Sequence, residues 1–126
     1  QGFPSARQMT NEAELAAALA ALGFVCVATH EMRFEDQIHI LSQARVVIGQ
    51  FGAAMWNAAF MPPGGRLVEI VTTNYYSNEY MFVAHLIDAR FSRVMVEPDL
   101  VDPDNPQSCA FRAPIEDIVA LARRMI

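Results

Sequence analysis

Arg45-Val46-Val47-Ile48-Gly49-Gln50-Phe51-Gly52-Ala53-Ala54-Met55-Trp56-Asn57 joins a short β-branched apolar run to a segment of Gly and Ala. An apolar run without alternation is expected where both faces of a strand are covered, as in a parallel sheet. The small residues that follow let a helix pack closely on that strand, or let a ligand approach the backbone. A strand, tight turn and helix over 45–59 is therefore predicted, stopped by the Met61-Pro62-Pro63-Gly64-Gly65 turn.

The same alternation continues on both sides. Upstream, Asn11 to Leu22 places Leu15, Ala18, Leu19 and Leu22 on one helical face, with Asn11 and Glu14 as a capping box and Gly23 as the stop. Phe24 to Ala28 reads as a buried strand holding Cys26 as a small hydrophobe, and Phe34 to Gln43 reads as a second helix. Downstream, Leu67 to Val71 predicts a third strand, Tyr80 to Ala89 a helix and Arg93 to Glu97 a fourth strand. Asp99 to Ser108 reads as a proline-bearing loop, and Pro114 opens a last helix. The fold class is α/β: a Rossmann-like parallel sheet of about four strands with helices on both faces, in a single domain over 1–126. Doubly wound domains open on a strand, whereas this chain opens on a helix. A strand upstream of Arg7 and a larger parent protein are expected.

Composition narrows the function classes. With 126 residues, 53% hydrophobic and 18% charged, the chain can fill a core and leave a face for another domain or for a homodimer. A net charge of -5 argues against nucleic acid, which demands a concentrated basic surface. No run reaches the length of a membrane helix, and Gln1 to Arg7 has no apolar signal-peptide segment, so a cytoplasmic location is expected. Cys26 and Cys109 make no disulfide framework, and no Cys/His cluster suggests a metal site.

Ligands of open α/β sheets bind beyond the carboxyl ends of the strands. That edge collects Arg7 and Asn11, Thr29 to Glu31, Gln50 to Asn57 and Thr72 to Asn78, while Arg45, Arg66 and Arg93 fall on the opposite, solvated edge. The Gly52-Ala53-Ala54 turn reads either as a diphosphate cradle at a helix start or as tight packing alone. Arg7 is suited to a phosphate, or is a solvated residue near a terminus. Glu31 is a binding carboxylate or a turn residue. Glu69, within an otherwise apolar strand, either pairs inside the fold or bonds a ligand such as a ribose hydroxyl.

Four pieces in order resemble the C-terminal half of glycosyltransferase family 61, the capsular-polysaccharide-biosynthesis type. They are Arg7-Gln8-Met9-Thr10-Asn11-Glu12, the E-x-Q core of Phe34 to Ile38, Gly49 to Asn57, and the Phe60 to Gly64 turn followed by Val68-Glu69-Ile70. The resemblance spans about Arg7 to Val71. It implies the donor-binding half of a two-domain GT-B enzyme acting in polysaccharide or glycan biosynthesis. Such an enzyme uses a nucleotide-sugar donor, here a UDP-sugar, without a bound metal, and this chain would not turn over without the N-terminal acceptor-binding domain. By the same resemblance Arg7 and Gly52, Ala53 and Ala54 hold the diphosphate, Asn57 braces their loop, and Glu69 holds the nucleoside. Phe51 stands where the family carries a histidine, which puts activity or donor choice in question. Two other classes compete: a non-catalytic docking module, and a nicotinamide or flavin nucleotide domain. The latter fits poorly, because the first strand runs into Ala28-Thr29-His30 with no Gly-rich turn.

Overall fold

The computed structural model describes residues 3, 4 and 6–126; Gln1, Gly2 and Ser5 lie outside the described residues, as do the side chains of Ala53 and Ala54. The elements run β1 (Gln8–Met9), α1 (Glu12–Ala20), α2 (Phe34–Leu41), β2 (Val46–Gln50), β3 (Arg66–Thr72), α3 (Glu79–Leu86), β4 (Arg90–Val96), β5 (Leu100–Asp102), β6 (Asn105–Phe111) and α4 (Ile115–Arg123). Short 3₁₀ segments cover Thr29–Glu31 and Ala53–Phe60. The fold is mixed α/β with two three-stranded sheets, ordered β1-β6-β5 and β2-β3-β4. The chain groups into two compact units: Gln1–Cys26 with Val71–Tyr76 and Met95–Ile126, and Val27–Ile70 with Ser77–Val94.

In the second unit β3 is the central strand. It pairs in parallel with β2, with Gly49 opposite Glu69. Backbone bonds from Arg90 N–H to the Gly65 carbonyl and from Thr73 N–H to the Val96 carbonyl, each 2.9 Å, mark the parallel course of β3 and β4. Leu67, Val68, Ile70 and Val71 are at most 1% exposed, so each contributes roughly 1.5–3 kcal/mol of hydrophobic burial. β2 stays half-buried, as expected for a strand at the sheet edge. Gly49 lets the Met55 side chain lie close against β2; a Cβ there would meet the Met55 sulfur and push it aside.

In the first unit β6 is central, parallel to β1 and antiparallel to β5. Helices α1 and α4 pack together through Leu15 and Leu19 on one and Ile118 and Ala122 on the other, beside the fully buried Phe111 and Cys109. Asn11 is buried, and it does not cap α1 with its side chain as expected. Its amide instead donates to the Ala113 carbonyl at 2.9 Å and accepts from the Ala113 N–H at 2.8 Å. Gly23, at φ +96°, turns the chain out of α1.

Four expectations are corrected. The sheet is not one of four strands, because Phe24 to Ala28 joins neither sheet; Val25 is 83% exposed and Cys26 is exposed rather than buried. With no strand beside it on that side, the run has no ladder to complete. The Asp99 to Ser108 stretch is not a loop but carries the β5–β6 hairpin. Its prolines are tolerated because Pro98 precedes β5, Pro103 lies in the turn, and Pro106 stands at the start of β6. The predicted helix after β2 is 3₁₀ rather than α. Its first turn is closed by an i→i+3 bond from the Met55 N–H to the Gly52 carbonyl at 3.0 Å, and the same carbonyl accepts the Tyr80 hydroxyl. Finally, β4 begins at Arg90, so Arg93 lies inside the strand, and its side chain is only 13% exposed rather than solvated.

Candidate functional site

The segment after β2 is held by side chains from both helices of its unit. On the α3 side Tyr80 is fully buried, as a phenol on an otherwise apolar face can be only when its hydroxyl finds a partner. That partner is the Gly52 carbonyl. The same ring takes Phe51 edge-on at 5.7 Å and Trp56 at 5.6 Å between centroids. Phe51 is 7% exposed, so at this position the aromatic ring is a packing element. Gly52 itself is extended, at φ 164°, a backbone any residue adopts.

On the α2 side Gln37 uses its whole amide. Its Nε2 donates to the carbonyls of Thr29 at 2.7 Å and Met32 at 3.1 Å, and its Oε1 accepts from Asn57 Nδ2. Gln37 thus joins the turn that carries Glu31 to the segment that carries Asn57. Glu31 itself is exposed, with His30 Nε2 at 3.6 Å from its carboxylate.

Glu69 lies in the middle of β3 and is fully buried. Its Oε1 accepts from Arg93 Nη2 at 2.8 Å and Nε at 3.0 Å. Arg93 also donates to the Ser77 carbonyl at 2.6 Å and to Asn78 Oδ1 at 3.1 Å, fixing the turn that opens α3. Among the described residues no hydrogen-bond partner meets Glu69 Oε2. Burial pushes the Glu69 carboxyl pKa up, opposed by the hydrogen bonds and the charge of Arg93, with a smaller upward push from Glu79. The carboxylate is therefore paired on one oxygen, while the other is buried without a hydrogen-bond partner among the described residues.

In the first unit Arg7 is half-buried with its guanidinium 5.6 Å from the centre of the Tyr75 ring, a cation–π contact. Tyr75 is held by a bridge to Thr72 across the turn after β3, and Asn74 bonds the Pro106 carbonyl at 2.9 Å. Asn11, by contrast, has both ends of its amide bound to Ala113. A shallow hollow of roughly 350 Å³ in this unit is lined by Asn11 and residues 112–117, including Glu116 and Asp117. None of residues 52–57 nor Glu69 lines it. Its carboxylates suit no anion, and we place no site there.

The predicted site residues are thus distributed between the units: Arg7 and Asn11 in the first, Glu31, Gly52 to Asn57 and Glu69 in the second. Sequence reasoning missed Arg93 because the start of β4 was set three residues late. It missed Tyr80 because a tyrosine on an apolar helix face reads as core. The available signal was chemical: a lone carboxylate and a phenol in buried elements each demand a partner.

Residues 3–68, just over half of the chain, match the family model described as Glycosyltransferase 61. The chain belongs to the glycosyltransferase 61 family. The match includes α2, β2 and the 3₁₀ segment to Phe60, and ends one residue before Glu69. Three relatives are named protein O-linked-mannose beta-1,4-N-acetylglucosaminyltransferase 2. The Danio rerio protein is 34% identical over 77 residues, 59% of this chain and 13% of its own length. Those of Tetraodon nigroviridis and Takifugu rubripes are 33% and 34% identical, covering 52% and 51% of this chain and 12% and 11% of theirs. This family 61 chain therefore spans about an eighth of the length of the relatives it matches. No helix among its described residues is long and apolar enough to cross a membrane.

Proposed function

We propose that this family 61 chain is the nucleotide-sugar donor-binding part of a glycosyltransferase in glycan biosynthesis, a Rossmann-like half of a GT-B architecture. The observation that carries this reading is the family match over a segment that contains the β2 junction with Gly52 to Asn57. That junction follows the carboxyl end of a parallel strand, the edge at which open α/β sheets bind ligands. Backbone N–H groups of the segment would take the diphosphate. The second oxygen of Glu69 would accept one hydroxyl of the ribose or the sugar, since Arg93 already occupies the other. The donor class is a UDP-sugar, and the acceptor would come with an N-terminal domain.

A thermal-shift titration with UDP, GDP, CMP and NAD tests the reading. Binding to the folded state raises apparent stability by RT ln(1 + [L]/Kd). A shift with UDP is the expected result. No shift with any nucleotide would favour a non-catalytic docking module, the reading to which a buried Phe51 in place of the family histidine lends weight.

A further inference from the structure

Gly52 to Asn57 is short and carries one glycine and two alanines; its own Met55 is buried and its Trp56 packs on Tyr80. In addition, two neighbouring elements each send one polar group into it. Tyr80 of α3 donates to the Gly52 carbonyl at its start, and Gln37 of α2 accepts from Asn57 at its end. All of these residues lie in one compact unit.

The chemistry of each fastening is specific. Two carbonyls, of Thr29 and Met32, demand the donor end of the Gln37 amide, so its orientation is decided and its oxygen must face the Asn57 amide. Both donors of Gln37 are thereby used within the fold. Tyr80 is fully buried, its ring meets Phe51 and Trp56 edge-on, and its hydroxyl donates to the Gly52 carbonyl. The bond it makes ends on the carbonyl that also closes the first 3₁₀ turn of the segment.

We propose that Gln37 and Tyr80 are positioning residues that fasten the Gly52–Asn57 segment at its two ends, so that its backbone is set before a nucleotide diphosphate arrives. The inference rests on the donor-binding reading above. A segment ordered in advance loses less conformational freedom on binding, and affinity rises accordingly. Phe51 serves the same arrangement by buttressing Tyr80, a task its apolar ring meets without a hydrogen bond.

Tyr80→Phe and Gln37→Met test the proposal, because each keeps the bulk and removes the hydrogen bonds. UDP affinity is measured by calorimetry, and hydrogen exchange is followed by mass spectrometry over 52–57 and over β3. The expected result is cooperative melting in both variants, faster exchange confined to 52–57, and UDP binding weaker by about tenfold per variant. Unchanged exchange over 52–57 overturns the fastening. Faster exchange with wild-type UDP affinity overturns its role in binding. If the wild-type chain itself binds no UDP, the donor-binding reading falls and takes the positioning role with it, a failure visible before either variant is made. Should Tyr80→Phe fail to fold, Gln37→Met decides alone.

Discussion

Phe24 to Ala28 and Leu67 to Val71 are alike on paper: five residues each, dominated by Val and other apolar side chains, each following a glycine within two positions. In the fold they have opposite fates. The second run is the centre of a parallel sheet, with Leu67 and Val68 fully buried. The first joins no sheet and leaves Val25 83% exposed. The odd member of each run points the wrong way as well. The charged Glu69 is buried, while the small apolar Cys26 is exposed. Composition of a short run describes what a strand would tolerate, whereas pairing on both edges makes it a central strand.

The largest expected effect lies at the charge inside the buried run. Arg93→Met leaves the Glu69 carboxylate buried without its ion partner, and such a loss costs about 3–5 kcal/mol. Its pH dependence sharpens the case. Glu69 carries a raised pKa in the folded chain, so between its unfolded and folded values the native state holds the extra proton, and stability falls as pH rises through that window. Removing Arg93 takes away the two influences that lower the pKa and widens the window upward. Urea unfolding should therefore show a smaller deficit for Arg93→Met near pH 5 than near pH 7.5. An equal deficit at both would mean that the carboxylate is not left charged and alone.

Next comes packing in the same strand. Leu67→Ala removes a side chain with no exposure, and we expect a loss of about 2–5 kcal/mol in the same assay. The smallest effect belongs to the other run. Val25→Ala should change stability by less than about 0.5 kcal/mol, because the side chain is already in water. A cost above about 1 kcal/mol for Val25→Ala would break the contrast between the two runs and require a partner for Phe24 to Ala28.

Much of the candidate site was legible because it rests on local rules. The β2 strand, the small-residue turn behind it and the proline stop at Met61 to Gly65 follow from β-branching, close approach and proline geometry, all properties of neighbouring residues. So does the motif order that places the chain in glycosyltransferase family 61. The unusual position of Glu69 was also visible, since a carboxylate in an apolar strand stands out.

Local sequence signals established β2 and β3 as strands, the family and the list of residues that need partners. Tertiary structure alone decided who those partners are. Arg93 reaches Glu69 across 24 positions, Gln37 reaches Asn57 across 20, and Tyr80 reaches Gly52 across 28. It also decided that Phe24 to Ala28 stays out of the sheet while a proline-rich stretch forms a hairpin. The physical reason is common to all of these. Hydrogen bonds and strand ladders join residues that are neighbours in space, and no local propensity records which distant donor will meet a given acceptor.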